Sequence, residues 1–329
     1  MNRRSVARRA RVLLLSLLAC LLCACARQPG AVETVWMPRA ADADLRVLSW
    51  NVARERFFAE PSRTSRLLRL AEPDILLLDE MDPAVTAPEL AAFLDRALPG
   101  SPWQVVLGRE AGNRERGSIA ARLPLRRVEA FDHLHYSAAE QRRWIEASAE
   151  HAERLRRQLP NGVAVAGAML DYQGRSLLLV SFDLQCCGSS PQSWEEQRRQ
   201  REAMLIRGAI DAAFAAGAAL AIVGGDANAV HGDAPLRGIR EGRPELREVR
   251  ATREDGSDWT WDGRGTPFPS GRLDYLWVSA GVRVLQARLL DTEAWSPAEQ
   301  AGRGVQGEDS RLQSPHRPIV ADLALSPVP

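Results

Sequence analysis

Four apolar runs in this sequence end on an acid or an amide. Leu45 to Trp50 leads into Asn51, and Ile75 to Leu78 leads into Asp79 and Glu80. Leu177 to Phe182 leads into Asp183, and Leu220 to Gly225 into Asp226, with Asn228 two residues on. Short apolar runs of this kind read as buried strands. Buried strands that share one sheet end share one mouth, so the oxygens at their ends would gather there. Carboxylate and amide oxygens in one mouth make a hard-cation site that suits Mg²⁺ or Mn²⁺. Two later segments, Leu273-Asp274-Tyr275 and Ser314-Pro315-His316-Arg317-Pro318, add an acid and a histidine. A cation that neutralises non-bridging oxygens, beside a base that orients water, is the equipment of a metal-assisted phosphoesterase.

The elements that must position these residues follow from periodicity. Strands are expected at 45–50, 74–79, 103–107, 118–122, 220–224, 273–278, 284–290 and 319–325, with a hairpin of 163–170 and 176–182 around Gln173-Gly174. Helices are expected over 61–71, 88–98 and 193–216, the last with Ser193 and Glu196 in capping-box register. Residues 137–159 read as one amphipathic helix, either packed on the outside or covering the mouth. Its apolar stripe is interrupted by Gln141 and Ser148. No linker divides the chain after Leu45, so 45–326 reads as one domain.

Hydrophobic residues make up 45% of the chain, which excludes disorder for its main body. All 43 basic residues are Arg, a uniformity that reflects codon usage more than nucleic-acid binding. Residues 1–24 hold five Arg and no acid, so their removal takes the formal charge from +1 to −4. A mildly acidic chain lacks the footprint of a strong duplex binder.

The N-terminus reads as a targeting segment. Arg3, Arg4, Arg8, Arg9 and Arg11 form a basic region, and Val12 to Leu22 an apolar one too short for a comfortable membrane span. Leu22-Cys23-Ala24-Cys25 resembles a bacterial lipobox with Cys25 as the lipidated residue. Lipidation at Cys20 and ordinary cleavage are the alternatives. The expectation is a signal peptide at 1–24, a tether at 25–44, and a monomeric outer-membrane lipoprotein facing the periplasm or the exterior. The only cysteines beyond the targeting segment, Cys186 and Cys187, are adjacent and read equally as a vicinal disulfide or two thiols.

The order SWN, LLLDE, RGSIAARLPL, LLLVSFDL, GGDAN, RLDYLWVS and SPHRPIVADL resembles the endonuclease/exonuclease/phosphatase superfamily, from about Leu45 to Leu325. The resemblance implies a four-layer α/β sandwich, two packed mixed β-sheets flanked by helices, and a divalent-metal phosphoesterase. It implies Glu80 as metal ligand with Asn51 beside it, Asp226 aligning the attacking water, and Asn228 holding that water or the phosphate. His316 would contact the scissile phosphate, with Asp274 accepting its other N–H. Arg272 is the best candidate to grip substrate phosphate. Arg122, Arg198 and Arg201 read as solvated, and Trp261 as core. The substrate is left open among nucleic acid, phospholipid headgroup and sugar phosphate.

Two residues depart from the family pattern. Pro315 stands where family members carry Asp before the final His. Asp183 stands where many nucleases and sphingomyelinases carry His, and is read as a metal- or water-facing carboxylate. These departures sustain the alternative of an inactive envelope binding protein that retains the fold.

Overall fold

The computed structural model describes residues 35–111, 115–188 and 190–326. Cys25 and the rest of the expected signal peptide lie outside them. Among the described residues the strands are β1 (Leu45–Asn51), β2 (Ile75–Met81), β3 (Gln104–Leu107), β4 (Arg116–Ala121), β5 (Leu125–Arg127), β6 (Ala164–Tyr172), β7 (Arg175–Asp183), β8 (Leu220–Asp226), β9 (Leu246–Glu248), β10 (Asp274–Ser279), β11 (Val282–Leu289) and β12 (Ile319–Leu325). They form two six-stranded sheets, ordered β11-β12-β1-β2-β4-β3 and β5-β6-β7-β8-β10-β9. Each sheet is mixed, with one parallel pair at its centre: β1 with β2, and β7 with β8. Helices cover the outer face of each, which gives the expected four-layer sandwich. The four acid-ended strands do not share one sheet, as expected from the sequence, but divide two and two between the sheets. The mouth is therefore a seam between two sheet ends.

Alternation along each strand explains the layers. Leu45, Val47, Ile75 and Leu77 of one sheet meet Leu177, Leu179, Leu220 and Ile222 of the other in a central apolar layer. The intervening residues face outward. Leu48, Leu76 and Leu78 pack under the helices Pro61–Ala71 and Ala87–Ala97. Leu178, Val180 and Val223 pack under the helix Trp194–Ala215. Burying each such side chain contributes about 1.5–3 kcal/mol, which no single surface contact matches.

Three expectations change. The folded part begins before Leu45: Trp36 and Met37 are buried, and Trp36 lies 6.1 Å from Trp295 between ring centroids. The Met37 carbonyl accepts from Arg46, and Ala40 N–H donates to Asp322, so the C-terminal part of the expected tether belongs to the domain. The single helix at 137–159 is two, Ala138–Ala147 and Ala152–Gln158. Ser148, the polar break in the stripe, takes φ −134° and ends the first. Trp144, Leu155 and Leu159 pack into the outer core, and no residue of this segment lines the cleft at the mouth. Finally, β5, β9 and the short helices at 56–59, 234–240, 297–302 and 309–313 were not anticipated. Among the described residues no helix is long and apolar enough to cross a membrane.

Candidate active site

The inner faces of the strands become polar in step as they reach the mouth. On β1 the inward series is Leu45, Val47, Ser49, Asn51; on β2 it is Ile75, Leu77, Asp79; on β7 it is Leu177, Leu179, Ser181, Asp183; on β8 it is Leu220, Ile222, Gly224, Asp226. Strand register then sets the acids side by side. Asp183 pairs with Asp226 and Asp226 with Asp274, a row of three across β7, β8 and β10. Asn51 pairs with Asp79 in the opposite sheet.

Glu80 would face away from this row on a regular strand. A register shift between Leu78 and Met81, with φ +49° at Glu80, re-aims it. Asn51 then spans the seam, its Nδ2 donating to Glu80 Oε1 at 3.1 Å and to Asp226 Oδ2 at 3.3 Å. Ala53, Arg54, Cys187 and Asn228 also take positive φ at or beside the mouth, whereas only Glu72 and Gln173 do so elsewhere among described non-glycine residues. Left-handed backbone at such residues persists only where the surroundings impose it.

Two clusters result. In the first, His316 Nδ1 lies 2.8 Å from Asp274 Oδ2, and His316 Nε2 lies 3.8 Å from Asp226 Oδ2. Burial disfavours the imidazolium, but Asp274 and then Asp226 outweigh it and raise the His316 pKa to about 9. Burial, with Asp274 beside it, raises Asp226 to about 7. The histidine is held from behind, since Trp50 Nε1 donates to its carbonyl at 3.0 Å and its own N–H donates to Ser314 Oγ at 3.0 Å. Thr260 Oγ1 accepts from the Asp274 N–H at 2.9 Å and fixes the acid.

In the second cluster, carboxylate oxygens of Glu80, Glu115 and Asp183 all lie within 4.8 Å of one another. Arg54 donates to Glu115 at 2.7 Å and lies 3.7 Å from Glu80. Burial first, then Glu115 and Glu80, push the Asp183 pKa well above the carboxylate range. Asn228 joins the clusters: its N–H donates to Asp226 Oδ1 at 2.8 Å, and its Nδ2 donates to Asp183 Oδ1 at 3.2 Å and to the Leu184 carbonyl at 3.0 Å.

The residue set fits a hard divalent cation. Its donors are carboxylate and amide oxygens with one imidazole. Behind them Asp79 is fully buried, and neither of its carboxylate oxygens has a hydrogen-bond partner among the described residues. Burial, then Asp274 and Asp226, push its pKa well up. So much uncompensated acid in a low-dielectric seam is unfavourable unless a cation or protons offset it.

The structure thus brings Asn51, Glu80, Asp183, Asp226, Asn228, Asp274 and His316 to one mouth. Arg272 reaches the cleft wall, where Glu248 holds its guanidinium and Tyr275 lies under it. Arg198 is buried and paired with Glu202 rather than solvated. Trp261 lines the cleft instead of the core. Pro315 lines it too. Cys186 and Cys187 are joined in a disulfide at its edge. Sequence reasoning put Asp79 at the end of its strand without giving it a role, and missed Glu115 and Arg54. Counting by twos from Ile75 would have placed Asp79 on the inner face, whereas Glu115 and Arg54 sit in irregular segments with no such signal.

Fold and site define a metal-dependent phosphoesterase built on a two-sheet α/β sandwich. The endonuclease/exonuclease/phosphatase family sequence model matches residues 48–297, and the chain belongs to that family. No curated protein matches it by sequence. Solved structures share the fold. An endonuclease/exonuclease/phosphatase from Bacteroides vulgatus is 17% identical, with 86% of this chain and 99% of that one covered at a TM-score of 0.56. The mannosyl-6-phosphatase of Bacteroides thetaiotaomicron is 16% identical over 85% and 100% of the two chains, TM-score 0.54. TDP2 of D. rerio, solved with a single-strand DNA product, is 17% identical over 85% and 98%, TM-score 0.53.

Proposed function

We propose that the chain is an exported hydrolase that cleaves a phosphodiester or phosphomonoester by in-line attack of water, with Mg²⁺ or Mn²⁺ as its cation. One observation carries this reading: His316, held by Asp274, stands 3.8 Å from Asp226 across from the Glu80–Glu115–Asp183 oxygens. Glu80 and Asn51 would hold the cation, with Glu115 and Asp183 adding oxygens. When bound, the cation neutralises charge on the phosphate and polarises it.

The residues supply the rest. Asp226, with its pKa near 7, orients the water and takes its proton. Both amide protons of Asn228 are committed, to Asp183 and to the Leu184 carbonyl, which leaves its Oδ1 to accept from the water. His316, its pKa raised to about 9 and its ring hydrogen-bonded through Nδ1 alone among the described residues, offers Nε2–H to a non-bridging phosphate oxygen. The intact His316–Asp274–Asp226 arrangement favours this enzyme over the inactive binding protein.

Export and anchoring rest on the sequence of residues 1–25. In this proposal Cys25 carries the lipid and the domain sits at the outer membrane as a monomer. Cys25→Ser should abolish palmitate labelling; labelling that persists and vanishes only with Cys20→Ser would move the anchor. The activity test is a screen of the full chain, with Mg²⁺ and with Mn²⁺, against plasmid DNA, RNA, sphingomyelin, lysophospholipids, sugar phosphates and aryl phosphodiesters. Hydrolysis of at least one by wild type, and of none by Asp226→Ala, is expected. No hydrolysis of any would leave the binding-protein reading.

A further inference from the structure

The active-site cleft encloses about 910 Å³, far more than one phosphate and its cation occupy. Its two sides differ. One is the acid and histidine cluster. The other is walled by three loops that follow β7, follow β8 and precede β10, where Val230, Phe268 and Pro269 stand among the polar Gln185, His231 and Thr266. Val230 is 46% exposed and Phe268 66% exposed, two of only five large hydrophobic side chains so exposed among the described residues. The Cys186–Cys187 disulfide lies on the same wall.

This wall is built rather than incidental. The Gln185 N–H donates to buried Glu202 at 2.6 Å, and buried Arg199 donates to the carbonyls of Gln185 and Cys187, so the disulfide loop is fixed from beneath. The Phe268 loop hangs from paired hydrogen bonds between Trp261 and Gly271, at 2.9 and 3.1 Å, and Trp261 also bridges to His316. An apolar surface rigidly tied to the catalytic histidine is preorganised for a ligand that reaches the reacting phosphate.

Charge narrows the ligand. Among described residues each arginine on the cleft wall is ion-paired: Arg54 with Glu115, Arg198 with Glu202, Arg272 with Glu248. Among the described residues no arginine of the wall is left unpaired to track a second or third phosphate, which a nucleic-acid groove requires.

We propose that Val230, Phe268 and the Cys186–Cys187 disulfide form a subsite for an apolar chain of the substrate, so that the enzyme selects lipid-type phosphoesters bearing a single phosphate over nucleic acid. This rests on the phosphoesterase reading, and the test separates the two. With the full chain and Mg²⁺, kcat/KM is measured for p-nitrophenyl alkyl phosphates from ethyl to octyl, below micelle formation, and for single-stranded DNA. Binding of alkylphosphonic acids of the same lengths is measured by calorimetry, which needs no turnover. Both series should tighten with length, by at most about fourfold per methylene that reaches the wall. The slope should flatten in Phe268→Ser/Val230→Ser, whose side chains are too exposed to hold the fold, and in Cys186→Ser/Cys187→Ser, with the ethyl compounds little changed. A binding slope without hydrolysis would uphold the subsite and overturn the phosphoesterase. Hydrolysis without a slope, a slope unchanged in both variants, or a higher kcat/KM for DNA than for the octyl ester would overturn the subsite.

Discussion

Strand β1 carries a buried polar residue near each end, and the two ends obey opposite rules. Arg46 is fully buried and fully satisfied. It donates to both Asp322 oxygens, at 2.6 and 2.9 Å, and to the carbonyls of Ala71 and Met37. Five residues along, Asn51 lies among Asp79, Asp183, Asp226, Asp274 and Glu80, opposed by His316 and by Arg54, whose side chain is 41% exposed. One end balances each buried charge within the chain. The other accumulates acid that the chain itself does not balance. A fold that can satisfy charge so completely at Arg46 has left it unsatisfied at Asn51, and that contrast marks the second place as the one built for a ligand.

The contrast is broken most severely by removing the working groups. Asp226→Ala and His316→Ala should each lower hydrolysis by factors of about 10² to 10⁴. Circular dichroism should show both folded, because the mouth does not hold the domain together. Full activity in either variant, on any substrate the wild type turns over, would remove the proposed roles.

Arg46→Met attacks the balanced end. Leaving Asp322 buried without its partner should cost about 3–5 kcal/mol, read by denaturant unfolding, while activity per folded molecule stays unchanged. An equal loss of specific activity would show that the two ends are coupled.

Much of this contrast was legible in the sequence. Apolar runs closing on Asn51, Glu80, Asp183 and Asp226 announced the mouth, because buried strands advertise their ends. Asp274 and His316 were legible through the resemblance of their motifs. The division of the strands between two sheets was not, since a run of aliphatic residues does not say which sheet it joins. Glu115 was hidden because its place depends on Arg54 closing the seam from a loop. The pairing of Arg272 with Glu248 was equally hidden, for the two lie 24 residues apart and meet only through strand order. Trp36 and Met37 looked like tether because two apolar residues among polar ones carry no period. Trp36 packs against Trp295, more than 250 positions away, and no local pattern announces that contact.

Acidity sharpens the comparison further. The folded pKa values of Asp226, about 7, and His316, about 9, both lie above their unfolded values of 3.8 and 6.5. The folded metal-free protein therefore binds more protons than the unfolded chain between these limits. Stability from Asp226 is present below pH 4 and lost through pH 7; that from His316 is present below 6.5 and lost through 9. The metal-free melting temperature should fall as pH rises from 5 to 9, and cation should restore it most at the high end. A flat or rising metal-free curve would mean the acids are already balanced.

A smaller effect is expected from Asp183→Asn. Removing one carboxylate relieves repulsion from Glu115 and Glu80, so the metal-free variant should melt above metal-free wild type. The gain should be a few degrees, at about 2–4 °C per kcal/mol for a domain of this size. Its further gain on adding cation should shrink. Equal cation-induced shifts in variant and wild type would mean that Asp183 takes no part in holding the cation.

The central claim is that the unbalanced end of β1 exists to hold a divalent cation. Calorimetric titration of the full chain with Mn²⁺ and Mg²⁺ tests it without any substrate. The expected result is saturable binding that releases protons at neutral pH, because cation displaces protons from raised carboxyls, with affinity at least tenfold weaker in Glu80→Gln. Absence of binding, or affinity unchanged in Glu80→Gln, would contradict the account.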